Sequence, residues 1–128
     1  MKTTLASITF AFVILAATLN SCEKAEPLKP ELPTVLTLNV NSITPSSAMS
    51  GGFVIIDGGS PITNRGVCWS TTPFFTRSDA HTCDECGAGC YYSTITDLQP
   101  GTTYYLRAYA SNKAGTAYGQ EIKFVTDD

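Results

Sequence analysis

From Thr34 to the end, the chain alternates apolar and polar residues in short runs, each closed by turn-forming residues. A period of two marks a strand with one buried face, because successive side chains on a pleated backbone point to opposite sides. No segment here sustains the 3.6-residue apolar repeat of an amphipathic helix. Residues 35–40 predict a first strand, broken at 42–46 by Pro45. Residues 48–56 predict a second, whose Gly51-Gly52 pair marks a bulge or a close backbone approach. Asp57-Gly58-Gly59-Ser60-Pro61 is a strong turn. Further strands are expected at 62–69, 91–95, 104–110 and 120–126, with a short one near His81 and Thr82. The expected fold class is all-β, a sandwich of about seven antiparallel strands.

The first 33 residues break this pattern twice. Lys2 supplies one cation, and Leu5 to Leu19 then run without a charge. That run is shorter than the ~20 residues of a membrane helix and matches the apolar region of a secretory signal. It ends Leu19-Asn20-Ser21-Cys22, which resembles a bacterial lipobox: an aliphatic residue, small or polar residues, then cysteine. The resemblance implies that residues 1–21 are a signal peptide that is removed and that Cys22 carries palmitate-type acyl chains on its sulfur and its new amine. Two or three chains anchor stably where one does not. Residues 22–33 follow as a lipid-anchored spacer. Pro27, Pro30 and Pro33 recur with the three-residue period of a polyproline II helix, which reaches about 35 Å at about 3.1 Å per residue. The expected location is the outer membrane, anchored by lipid, with either the periplasmic or the extracellular face open.

Residues 34–128 make up the domain. Leu98-Gln99-Pro100-Gly101-Thr102-Thr103-Tyr104 leads into alternating apolar residues and then Asn112-Lys113-Ala114-Gly115. This stretch resembles the second half of a fibronectin type III domain. The likeness implies an immunoglobulin-like sandwich in which Tyr104 is a corner tyrosine with its hydroxyl bonded to backbone near Leu98, the turn being shaped by Pro100. Alternation puts Tyr104, Leu106, Ala108 and Ala110 inward and Tyr105, Arg107, Tyr109 and Ser111 outward. The first half departs from the animal type, since the single tryptophan, Trp69, falls on the third strand. Arg65-Gly66-Val67-Cys68-Trp69-Ser70-Thr71-Thr72-Pro73 is similar instead to repeats of bacterial surface lipoproteins. Such modules serve as adhesins, spacers and binding platforms, so the fold alone does not select a function.

Five cysteines in 128 residues call for sorting. Cys22 belongs to the lipid. Cys68, mid-strand beside Trp69, reads as a buried core thiol. Cys83, Cys86 and Cys90 share one loop, where an oxidising envelope favours a disulfide staple. Cys83–Cys90 is the preferred pairing over Cys86–Cys90, with about 2–3 kcal/mol of stabilisation if unstrained. The connectivity of the four non-lipid thiols stays open. His81, Cys83, Cys86 and Cys90 also supply the donor count of a tetrahedral zinc site, in a spacing that matches no known module. A redox role for Cys83-Asp84-Glu85-Cys86 lacks the helical context that usually activates such a pair.

Charge and candidate chemistry narrow the function further. Charged residues make up 15% of the chain and the net charge is −3, which excludes the basic stripe of a nucleic-acid binder. His81 is the only histidine, and no activated serine or cysteine arrangement assembles around it. No enzyme activity and no cofactor are expected. Tyr105, Arg107 and Tyr109 form a candidate contact face for a protein or glycan partner, although cross-strand packing uses the same residue types. Phe74 and Phe75 add a second aromatic lead. The expected function is a non-catalytic, lipid-anchored envelope protein acting in binding, adhesion or spacing. The alternative is an envelope metal-binding or redox protein built on the cysteine loop.

Overall fold

The computed structural model describes residues 29–128 except Ser78 and Glu85. The signal peptide, Cys22 and the first part of the spacer lie outside the described residues. Eight strands and no helix are formed within them: β1 Thr34–Thr37, β2 Ala48–Ile56, β3 Asn64–Ser70, β4 Ala80–His81, β5 Gly89–Ile95, β6 Thr103–Asn112, β7 Gly115–Tyr118 and β8 Ile122–Val125. They pair antiparallel in two sheets. One has the order β1-β2-β5; in the other β4-β3-β6 continues to β7, and β8 pairs with the start of β6. Residues 120–126, expected as one strand, are thus preceded by a separate strand that their pattern did not announce. The interruption at Gly119-Gln120 is where the first sheet reaches across. Thr37 Oγ1 donates to the Gln120 carbonyl (2.6 Å) and accepts from Ala108 N–H (3.0 Å).

The core between the sheets comes from alternate residues of each strand. Val54, Val67, Ile95 and Leu106 are fully enclosed there, with Trp69 packed at the margin. Each such aliphatic side chain contributes about 1.5–3 kcal/mol by leaving water. Gly52 leaves space for a large neighbour: a Cβ at Gly52 would lie 2.4 Å from Tyr91 Oη. The Tyr91 ring occupies that space, opposite Gly52 in the β2–β5 register. Its hydroxyl donates between the carbonyls of Gly66 (2.7 Å) and Tyr109 (2.9 Å), which ties one sheet to the other.

Both ends of the turn regions are pinned by hydrogen bonds. Tyr104 Oη accepts the N–H of Gln99 (2.8 Å), one residue after the buried Leu98, and its ring stacks on Phe124. Pro100 is exposed in that turn. At the opposite corner the last residues of the spacer join the fold. Glu31 N–H donates to the Gly58 carbonyl (2.8 Å), and Asn112 Nδ2 donates to the carbonyls of Glu31 and Asp57 (2.7 Å each). The ordered domain therefore reaches back past Thr34 to Glu31.

Candidate functional site

The outward side of β6 is covered. Tyr109 has no exposed surface, Tyr105 and Arg107 are half-buried, and the face they form packs against the segment that follows β3. Phe75 is buried against Cys68 and Tyr109, with Tyr105 and Tyr118 at the margin. Arg107 lies over the rings of Tyr118 (4.2 Å) and Phe75 (5.1 Å) and donates to the Phe75 carbonyl. Arg77 sits over Tyr109 (5.6 Å) and donates to Ser111 Oγ (3.0 Å). This corrects the expectation of a Tyr105–Arg107–Tyr109 contact face: the residues do face away from the main core, but Phe75 and Arg77 fold over them. Phe74 and Phe75 divide, the former almost fully exposed and the latter buried. Cys68 is buried, yet in this second cluster and not in the core between the sheets. Burial pushes its thiol up to about 11 from 9.0, against the lowering pull of Arg107.

The cysteine loop spans the open side of the sandwich. Alternation continues past β4, so that Thr82 and Asp84 point between the sheets while Cys83 points outward. Asp84 Oδ2 accepts from the hydroxyls of Thr82 (3.1 Å) and Ser93, and Thr82 Oγ1 accepts from Val67 N–H (3.0 Å). Arg65 is buried at 8% exposure and holds the far half of the loop. Its Nη1 donates to the carbonyls of Gly87 (2.7 Å) and Ala88 (3.2 Å), and its guanidinium covers the Tyr91 ring at 4.8 Å. Arg65, Asp84, Tyr91 and Tyr92 line a cavity of about 360 Å³ beside this loop. Burial, with the Asp84 charge second, holds the Tyr91 hydroxyl well above its ordinary pKa. Neither Arg65 nor Tyr91 was singled out from the sequence. The available signals were an arginine inside an apolar strand and a glycine pair with no stated partner.

The loop's cysteines do not converge. All four described cysteines are free thiols. Cys83 Sγ donates to Asn64 Oδ1 (3.0 Å), which also accepts from Tyr109 on the outer face of the β3–β6 sheet. Cys90 lies on β5 opposite Phe53, on the outer face of the other sheet. The whole sandwich, with sheets about 10 Å apart, separates them. The preferred Cys83–Cys90 pairing is therefore corrected. The zinc quartet fails on the same ground. His81 Nδ1 lies 2.9 Å from the Asp79 carbonyl, with the imidazole edge-on to Tyr109, and no three His, Cys, Asp or Glu side chains among the described residues are grouped to hold a metal ion.

One face remains open. On the outer side of the β1-β2-β5 sheet, Leu36 (46% exposed), Met49, Phe53, Ile55 and Tyr92 (70% exposed) stand in water. Register places Leu36, Phe53 and Cys90 in one row, with Tyr92 opposite Gly51 in a row nearby. Isolated exposed apolar residues are ordinary, but a contiguous set across three strands is the composition of a contact surface.

No protein-family model and no curated protein matches the chain. Solved structures do. The chain is similar to the sixth fibronectin type III domain of human fibronectin type III domain containing protein 3, at 21% identity and a TM-score of 0.54, with 80% of this chain and 91% of that one covered. The sensor domain of the anti-sigma factor RsgI4 of Pseudobacteroides cellulosolvens matches at 20% identity and a TM-score of 0.54, covering 79% and 98%. Domains A168–A170 of titin match at 23% identity and a TM-score of 0.52; 77% of this chain aligns, but it spans only 32% of that three-domain length. At these identities the likeness is one of fold. Two antiparallel sheets, a tyrosine bonded across the Leu98–Gly101 corner and these neighbours together give residues 31–128 a fibronectin type III-like fold.

Proposed function

We propose that this protein is a non-catalytic contact module, carried at the outer membrane by acyl chains on Cys22 and held off the bilayer by its proline-rich spacer. The observation that carries the reading is the open apolar face formed by Leu36, Met49, Phe53, Ile55 and Tyr92. A face of aliphatic residues with a phenylalanine and a tyrosine suits a protein partner better than a glycan, which calls for aromatic platforms flanked by hydrogen-bonding side chains. Fibronectin type III-like neighbours supply a binding or spacing scaffold, in keeping with this use.

The test is site-specific photo-crosslinking of the full chain in intact cells. A crosslinker at Phe53 is expected to trap a discrete adduct that one at Lys123, on β8, does not. The adduct should disappear when Ile55→Lys is added. Equal and diffuse labelling from both positions would leave only a spacer role. The anchor is checked in the same cells by radiolabelled palmitate, which should enter the chain and be lost in Cys22→Ala.

A further inference from the structure

We infer that the cavity lined by Arg65, Asp84, Tyr91 and Tyr92 is a binding site for a compact zwitterion of the free α-amino acid type. Its volume is about 360 Å³. Ligand pockets commonly span about 300–1,000 Å³, so the space suits a small molecule. The polar groups around it are one cation, one carboxylate and two phenols. That set is the complement of a ligand carrying both charges.

Arg65 supplies the first half of the complement. It is 8% exposed, and both of its described hydrogen bonds leave from Nη1, to the carbonyls of Gly87 and Ala88. Nε is buried without a partner. The guanidinium is thus met by neutral carbonyls and the face of the Tyr91 ring, with no counter-charge among the described residues. A buried charge without an opposite charge is costly, and a buried donor without an acceptor adds to the cost. With Nη1 engaged and Nε enclosed, Nη2 is the nitrogen left to a ligand, and it shares the delocalised charge of the whole group. The nearest acid does not take it. Asp84 donates its N–H to the Arg65 carbonyl at 2.7 Å, but its Oδ2 accepts the hydroxyls of Thr82 and Ser93. Asp84 Oδ1 makes no described bond and stays available as an acceptor on the same cavity. A simple anion would meet this negative charge as well as Arg65, whereas an ammonium group beside the carboxylate satisfies both. Tyr92, 70% exposed, offers its ring to the ligand's side chain. It sits on β5, an edge strand, so no further strand of that sheet closes the cavity on this side. The site does not rest on the reading of the open apolar face, with which it shares only Tyr92.

The experiment titrates the full-length chain with L-phenylalanine, N-acetyl-L-phenylalanine and L-phenylalaninamide, and follows the backbone amide resonances by NMR. The first ligand keeps both charges, the second only the carboxylate and the third only the ammonium. The expected result is saturable shifts at Arg65, Asp84, Tyr91 and Tyr92. L-Phenylalanine should bind at least about tenfold more tightly than either blocked form, each of which lacks one charge-assisted bond. Asp84→Asn should bring the N-acetyl form level with the free amino acid. Arg65→Lys and Tyr92→Ala should each weaken L-phenylalanine binding, while Lys123→Ala on β8 should bind as the wild type does. Shifts that are absent, fail to saturate, are equal for the three ligands or are confined to Phe53 and Ile55 would overturn the site. So would binding that appears only in Glu85→Gln, since an acid of this chain would then hold Arg65; Glu85 lies outside the described residues. Circular dichroism shows which variants are folded. If Arg65→Lys or Asp84→Asn is not, the ligand series on the wild type and on Tyr92→Ala decides alone. Failure here leaves the crosslink at Phe53 standing, so the two readings fall separately.

Discussion

Removing the Tyr91 hydroxyl tests the claim that one side chain ties the two sheets together. In Tyr91→Phe the ring still fills the space over Gly52 and still lies under Arg65, so little packing is lost. What disappears is the proton shared by the Gly66 and Tyr109 carbonyls. A buried hydrogen bond contributes about 1 kcal/mol, and leaving an acceptor short raises the cost to about 1–2 kcal/mol. For a domain of this size that is a fall in Tm of roughly 5–15 °C. Alkali supplies an independent readout. The folded state holds the Tyr91 hydroxyl neutral above its ordinary value of 10.0, so the unfolded chain ionises first and binds fewer protons. Stability is then complete below about pH 10 and falls as pH rises, by about 1 kcal/mol from this group between pH 10 and 11. Urea unfolding of wild type and Tyr91→Phe at pH 7, 10 and 11 measures both effects. The variant should begin lower and lose less with pH, while Tyr92→Phe, on the open face, should track the wild type. Equal stability at pH 7 together with an unchanged alkaline slope would refute the role given to the hydroxyl.

Further consequences follow from the same contacts. Phe75→Ala should cost about 3 kcal/mol in chemical denaturation and expose the Cys68 thiol to alkylation in the native state, whereas Phe74→Ala should change stability by less than about 0.5 kcal/mol. Gly58 has a φ of +78°, and a Cβ there would lie 2.0 Å from the Glu31 carbonyl. Gly58→Ala should therefore destabilise by about 2 kcal/mol, clearly more than Gly59→Ala, where the added carbon meets open space. Arg65→Met should cost about 2 kcal/mol through the loss of its charged bonds to the Gly87 and Ala88 carbonyls, and hydrogen exchange should speed up in residues 86–90. Cys68→Ala should remove the part of the alkaline instability that begins near pH 9, because the folded protein holds that thiol neutral up to about 11.

Local chemistry alone determined a good deal of this protein. Period-two runs between turn residues specify antiparallel strands, and the likeness of the Leu98–Tyr104 stretch to a fibronectin type III corner implied a tyrosine that buries its ring and keeps its hydroxyl bonded, as Tyr104 does to Gln99 N–H. Both depend on residues close together in the chain. The glycine pair at 51–52 announced a close approach, but not that Tyr91 would be what approached. Alternation also sorted Tyr105, Arg107 and Tyr109 to the side away from the main core. Whether that side meets water is a different question, since a strand's periodicity says which face a residue joins and nothing about what covers the face. Only the tertiary structure decided it, by laying Phe75 and Arg77 over Tyr109 and Cys68 and leaving the β1-β2-β5 face bare. The cysteine loop shows the same division: spacing brings Cys83 and Cys90 near in the chain, but the sandwich stands between their sulfurs, because neighbouring strands of a loop-crossed edge belong to different sheets.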